Sequence, residues 1–299
     1  MTVSTATTGT ARIARAFARA RDERRLAVVV YLTVGYPDRA ATSGLVRAAL
    51  DGGADVLELG VPFSDPLADG ATVQRASEIA LRQRVSLADC IAEAATVVRE
   101  RDAAVLLMGY ANPFLQYRGT LAGFASDAVH AGIAGIIVPD LPSEESAEFD
   151  AALDPHGLAR IDLYAPTTPD ERLARLVPRA RGFVYCVSLT GVTGARRALG
   201  TDVAEFVSRV RRHTSLPIAV GFGISAPAHV ATLRGVADAV VVGSAALDAV
   251  SAAPADRRPD RDGHDPGGRP GQRGDGGRRR GRPGADLHRD CPQQAEGEE

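Results

Sequence analysis

Residues 57–70 read LELGVPFSDPLADG. Val56, Leu57 and Leu59 make 55–60 a short buried strand, and Pro62, Pro66 and Gly70 forbid regular structure just beyond it. Glu58 is thereby an acid set inside an apolar strand near its carboxyl end, with Asp65 and Asp69 on the loop that follows. Barrel enzymes mount acid/base chemistry in this way, on strand ends and the loops after them. Position alone leaves Glu58 open between two roles. It is either an acid whose apolar neighbours raise its pKa or a carboxylate that is solvated or paired with a buried arginine. Asp65 and Asp69, beside proline and glycine, read equally well as turn formers.

Outward from this segment, short apolar runs recur at 28–34, 104–109, 135–138, 160–164, 182–187, 217–221 and 238–243, which with 56–60 makes eight candidate strands. Their hydrophobicity is continuous rather than alternating, as expected of parallel strands covered on both faces. Helical patterns lie between them, for example at 39–51, 87–100, 121–131, 202–212 and 227–234. This alternation predicts an α/β fold, a (β/α)8 TIM barrel. An open doubly wound sheet is the structural rival, but no switch point or glycine-rich first turn is visible. Ile13, Phe17 and Ala20 share one face of a helical stretch at 12–24, an extra N-terminal helix placed to cap the barrel's bottom.

The barrel is expected to occupy 1–253 as a single domain. From residue 256 onward the only large aliphatic side chain is Leu287, amid ten arginines and ten glycines. Such a stretch cannot bury enough apolar surface to order itself, and 254–299 is read as a disordered Arg/Gly/Pro tail. It keeps no RGG repeat and has no aromatic residues for base stacking, and the formal net charge of −2 offers no general attraction to nucleic acid. No apolar run is long enough for a membrane helix and the start has no signal-peptide core, so the cytoplasm is the expected location.

The three cysteines, Cys90, Cys186 and Cys291, are far apart, and the six histidines are scattered, so no disulfide framework or metal site is expected. All 35 basic residues counted with lysine are arginine. A chain without lysine cannot form a Schiff base, so any carbon–carbon cleavage here relies on acid/base or metal assistance.

Small residues follow three successive strands: SLTGVTG at 188–194, GFGIS at 221–225 and GSA at 243–245. They let backbone N–H groups approach an anion, and a short helix starting near Ser244 would aim its positive end at the same place. Phosphate binding after strands seven and eight is common in this architecture.

With these segments the chain resembles the tryptophan synthase alpha subunits over about 11–246. The marks are LELGVPFSDPLADG at 57–70, MGYANPF at 108–114, PDLPSEES at 139–146, GVTG at 191–194 and GFGIS at 221–225. The resemblance implies reversible retro-aldol cleavage of indole-3-glycerol phosphate to indole and glyceraldehyde 3-phosphate. Glu58 then matches the principal acid/base carboxylate, and Asp69 the one that stabilises positive charge at the indole nitrogen. Tyr185 matches a tyrosine close to the glutamate. Tyr31, Tyr110 and Phe222 fall at indole-pocket positions, although core packing explains such aromatics equally well. Thr193 matches a residue that helps close the site and orient the aspartate. Gly194, Gly223, Gly243 and Ser244 match the phosphate cradle.

The resemblance also implies a partner, a beta subunit in an alpha2beta2 complex, facing Asp65 and Pro66, with Asn112 and Pro113 as further contacts. Pyridoxal phosphate belongs to that partner, and no cofactor is expected in this chain. A stand-alone lyase releasing free indole, and a catalytically weak subunit that mainly activates the beta subunit, are the alternatives. One departure stands out: the family's long last helix is reduced here to 245–253, a truncation before the tail. The abrupt change of composition there leads us to expect a shifted reading frame, with a genuine disordered extension as the other account.

Overall fold

The computed structural model describes residues 8–187, 201–221, 223–224 and 226–253. The 254–299 segment, with the tail reading attached to it, lies outside the described residues. Eight strands form a closed barrel in sequence order. They are β1 (Ala27–Thr33), β2 (Val56–Gly60), β3 (Ala104–Met108), β4 (Gly135–Ile137), β5 (Ala159–Tyr164), β6 (Val184–Val187), β7 (Ile218–Gly221) and β8 (Ala239–Val242). Every pairing is parallel, and β8 closes on β1 with Val29 opposite Val241. The helices are α1 (Gly9–Asp22), α2 (Ala41–Asp51), α3 (Ala71–Arg82), α4 (Leu87–Glu100), α5 (Ala111–Gln116), α6 (Leu121–His130), α7 (Ala147–Leu153), α8 (Asp170–Leu176), α9 (Thr201–Arg211), α10 (Pro227–Thr232) and α11 (Ser244–Ala252).

Side chains alternate between a barrel interior and an outer layer under the helices. Ala27, Val29, Val56, Leu106, Ile137, Ile161, Phe183, Ala219 and Val241 pack into one interior cluster. Leu57, Leu59, Leu107 and Ile136 point the other way and pack under the helices. Both faces are dry, so the strand sequences read as unbroken apolar runs. Ile13, Ala16, Phe17 and Ala20 of α1 join the interior cluster from below, with Phe17 against Phe183 at a ring separation of 5.3 Å. The extra helix therefore plugs the end of the barrel opposite the carboxyl ends of the strands, as its one apolar face predicts.

Asp55, one residue before β2, has a fully buried side chain and is held by Arg25 and Arg19, the latter at 2.8 Å. Its carboxylate also accepts from the Val28 N–H at 2.9 Å. Burial alone would raise its pKa, but the two guanidinium partners hold it below the usual carboxylate value. This carboxylate ties α1, β1 and β2 together at the barrel floor and faces no substrate.

The last described helix, α11, is nine residues long, and Leu247 is its one buried side chain. It packs on β1 and α3, with Thr72 donating to Asp248 at 3.3 Å. Along the β8–β1 seam the outward-facing Val28, Val30 and Val242 stay partly exposed, whereas Leu57, Leu59 and Ile136 are fully buried.

Candidate active site

At the carboxyl end of the barrel the interior changes from aliphatic to polar and aromatic. Glu58 follows Val56 on the inner face of β2, opposite Tyr31 of β1 and Leu106 of β3 in the register. It is 1% exposed, and its Oε1 has no hydrogen-bond partner. Burial pushes its pKa up to about 8, with no arginine to oppose the shift. Of the two readings open for Glu58, the paired structural carboxylate is thus realised three residues earlier, by Asp55. Glu58 is a buried acid that holds its proton at neutral pH.

Two tyrosines enclose it. Tyr31 and Tyr185 are buried, and burial pushes both hydroxyls above their ordinary pKa, so they remain protonated. Tyr31 accepts from the Thr33 hydroxyl at 3.2 Å. Each ring lies over a glycine of the adjacent strand. A Cβ on Gly60 would meet the Tyr31 hydroxyl oxygen at 2.1 Å, and one on Gly221 would meet that of Tyr185 at 2.3 Å. These glycines make the space in which the rings flank the glutamate.

Asp69 reaches the rim from the β2–α3 loop. Burial pushes its pKa up to about 6, and a hydrogen bond with Tyr110 acts against that shift. The Tyr110 hydroxyl also accepts from the Ala68 N–H at 2.8 Å, and its ring stacks on Phe63 at 4.9 Å. Gln74 of α3 grips the loop from below, donating to the Asp69 carbonyl at 2.9 Å. Two carboxylates whose surroundings set their pKa values apart are a recurring acid/base arrangement: near neutral pH one is protonated and the other ionised.

The rim next to β1 is built of small residues. Gly243 follows β8 as the N-cap of α11 and abuts Tyr31 at 3.7 Å from a Cβ placed on it, and Ser244 opens α11. Gly223 has φ +83°, a left-handed conformation suited to glycine. No side chain caps the start of α11, and the unpaired N–H groups of a helix start suit an anion. Thr193, Gly194 and Phe222 lie outside the described residues.

On the outer side of the β2–α3 loop, Asp65 is exposed, Pro66 half-buried and Leu67 91% exposed. Asn112 is exposed and Pro113 half-buried in the first turn of α5. Leu67 and Gln74 were not singled out from the sequence. A leucine at the centre of a proline-bounded loop was the available signal for Leu67. Gln74 carried none, because its partner is a backbone carbonyl. Among the described residues no group of acidic, histidine or cysteine side chains is placed to hold a metal ion, and no helix is long and apolar enough to cross a membrane.

A family model described as tryptophan synthase alpha chain matches residues 17–262. The tryptophan synthase alpha chain of Roseiflexus castenholzii is 54% identical over 241 residues, covering 80% of this chain and 91% of that protein. That of Chloroflexus aggregans is 50% identical, covering 79% and 88%. Among solved structures, a Mycobacterium tuberculosis tryptophan synthase chain superimposes with a TM-score of 0.74 at 40% identity, covering 80% of this chain and 91% of that one. The alpha chain from Legionella pneumophila gives a TM-score of 0.71 at 34% identity, covering 79% and 86%. A closed barrel with a buried acid at its mouth and relatives of this closeness lead to one assignment: the chain belongs to the tryptophan synthase alpha chain family.

Proposed function

We propose that Glu58 and Asp69 are the two carboxylates with which this tryptophan synthase alpha chain cleaves indole-3-glycerol phosphate to indole and glyceraldehyde 3-phosphate. The observation that carries the assignment is Glu58: a fully buried carboxyl with one oxygen unpartnered, holding its proton to about pH 8. Indole leaves poorly as a carbanion, so its ring carbon must first be protonated, and Glu58 supplies that proton. Its carboxylate then accepts the proton of the neighbouring glycerol hydroxyl as the carbon–carbon bond breaks and that carbon becomes the aldehyde. The proton count balances, and Glu58 ends protonated. Asp69, ionised above about pH 6, offsets the positive charge that protonation places on the indole nitrogen.

Tyr31, Tyr110 and Tyr185, with Phe222, line the indole pocket, and Thr193 helps to orient Asp69. Gly194, Gly223, Gly243 and Ser244 hold the phosphate by backbone N–H groups. Asp65, Pro66, Asn112 and Pro113, joined by the exposed Leu67, face a beta subunit in an alpha2beta2 complex, and pyridoxal phosphate resides in that partner. The setting is the cytoplasm. Residues 1–253 act as the barrel domain, and 254–299 are an appendage derived from a shifted frame.

The partly exposed Val28, Val30 and Val242 favour one second reading, a catalytically weak subunit whose main effect is to activate the beta subunit. Indole release from indole-3-glycerol phosphate, measured with and without the beta subunit, separates the readings. Release that rises on adding the partner supports the main one, release unchanged by the partner identifies a stand-alone lyase, and no release in either condition leaves only the activating role.

A further inference from the structure

Tyr110 occupies the N-cap position of α5, where a serine, threonine, aspartate or asparagine ordinarily bonds the free N–H groups of the first turn. It makes no such bond, since the hydroxyl at the far end of its ring cannot reach back to the first turn; that hydroxyl instead accepts from the N–H of Ala68, next to Asp69 on the β2–α3 loop. The cap comes instead from the next strand's loop: Asp140, after β4, accepts from the Ala111 N–H at 2.9 Å. Pro113, third in the helix, has no N–H to satisfy, so Asp140 bonds one of the few donors this turn presents. The Asp140 loop is itself fixed, since Ser143 donates to the buried Asp162 of β5, which also pairs with Arg160.

We infer that Asp140 is a positioning residue for the alpha reaction. By capping α5 at Ala111 it fixes the backbone that carries Tyr110, whose hydroxyl holds Ala68, the residue before Asp69, at the barrel mouth. This inference rests on the reading of Asp69 as a reacting carboxylate.

The test is indole release by purified Asp140→Ala, Asp140→Asn, Tyr110→Phe and Tyr110→Phe/Asp140→Ala, with wild type alongside and the fold of each checked by circular dichroism. Asp140→Ala should lower kcat about fivefold, the size of one lost cap hydrogen bond, with KM changed less than about twofold because the phosphate cradle is untouched. Asp140→Asn, whose amide oxygen still accepts from Ala111, should keep at least about half of kcat. Adding Asp140→Ala to Tyr110→Phe should cost less than about twofold, since both changes act through one hydroxyl. Wild-type kcat in Asp140→Ala, equal losses in the Asn and Ala variants, or full multiplication in the double variant would each overturn the inference. Should Asp140→Ala not fold, Asp140→Glu takes its place: it keeps the charge but displaces the acceptor, and full activity in it overturns the inference equally. Failure of wild type to release indole refutes the reading of the site, and the inference falls with it.

Discussion

Replacing Glu58 by glutamine should remove a pH-dependent instability that the site builds into the fold. The native carboxyl keeps its proton to about pH 8, whereas the ordinary value is 4.5. Between those limits the native state binds the proton more tightly than the unfolded chain, so stability falls as pH rises. The contribution is fully present below 4.5 and is lost as pH climbs through 8. At about 1.4 kcal/mol per pH unit, the loss by pH 7 has a ceiling of about 3 kcal/mol. Glutamine does not titrate, and groups common to both proteins cancel in the difference. Urea denaturation of wild type and Glu58→Gln at pH 5, 6, 7 and about 8 should therefore show the variant gaining on wild type at each step. The glutamine amide adds a constant offset, so the slope is what tests the reasoning. Parallel stability curves for the two proteins would refute the claim that Glu58 is buried as a neutral acid.

Gly221→Ala should dislodge the Tyr185 hydroxyl, which a Cβ there would meet at 2.3 Å; thermal melts should show a loss of about 1–3 kcal/mol together with reduced indole release. Asp55→Asn should cost about 2–4 kcal/mol near neutral pH by denaturant titration, leaving two arginines short of their buried partner, yet keep kcat near wild type. Because the Asp55 pKa is lowered, that stabilisation is present above the ordinary value of 3.8 and disappears as pH falls through the folded pKa. Leu67→Asp, changing a side chain 91% exposed, should leave basal indole release unaltered and weaken stimulation by the beta subunit about tenfold or more in titrations.

The barrel was legible because its strands are dry on both faces. The run at 56–60 coincides with β2, and each of the other seven strands overlaps its predicted run, with ends moved by at most two residues. Helix α4 also coincides with its prediction, because Ser86 and Asp89 form a capping box that marks its start. Helix α3 is not among the helical stretches named from the sequence: the residues it buries, Ala76, Ser77 and Ala80, are all small. Helix α5 was masked by Pro113 and by a cap supplied from another loop. The carboxylates show the same limit. Asp55 and Glu58 sit in one strand region, and only their partners separate a structural anion from a neutral acid. Those partners are Arg19 and Arg25 for one and nothing for Oε1 of the other. Arg160 and Asp162, charges within an apolar strand, likewise gave no sign that Asp150 and Ser143 would meet them in the outer layer.

The most direct test of the account is the turnover number for indole release by Glu58→Gln beside wild type, in the presence of saturating beta subunit. Loss of the proton-transferring carboxyl predicts a fall of about 100-fold or more with the circular dichroism spectrum unchanged. A folded Glu58→Gln protein turning over within about twofold of wild type would contradict the assignment of Glu58 as the catalytic acid.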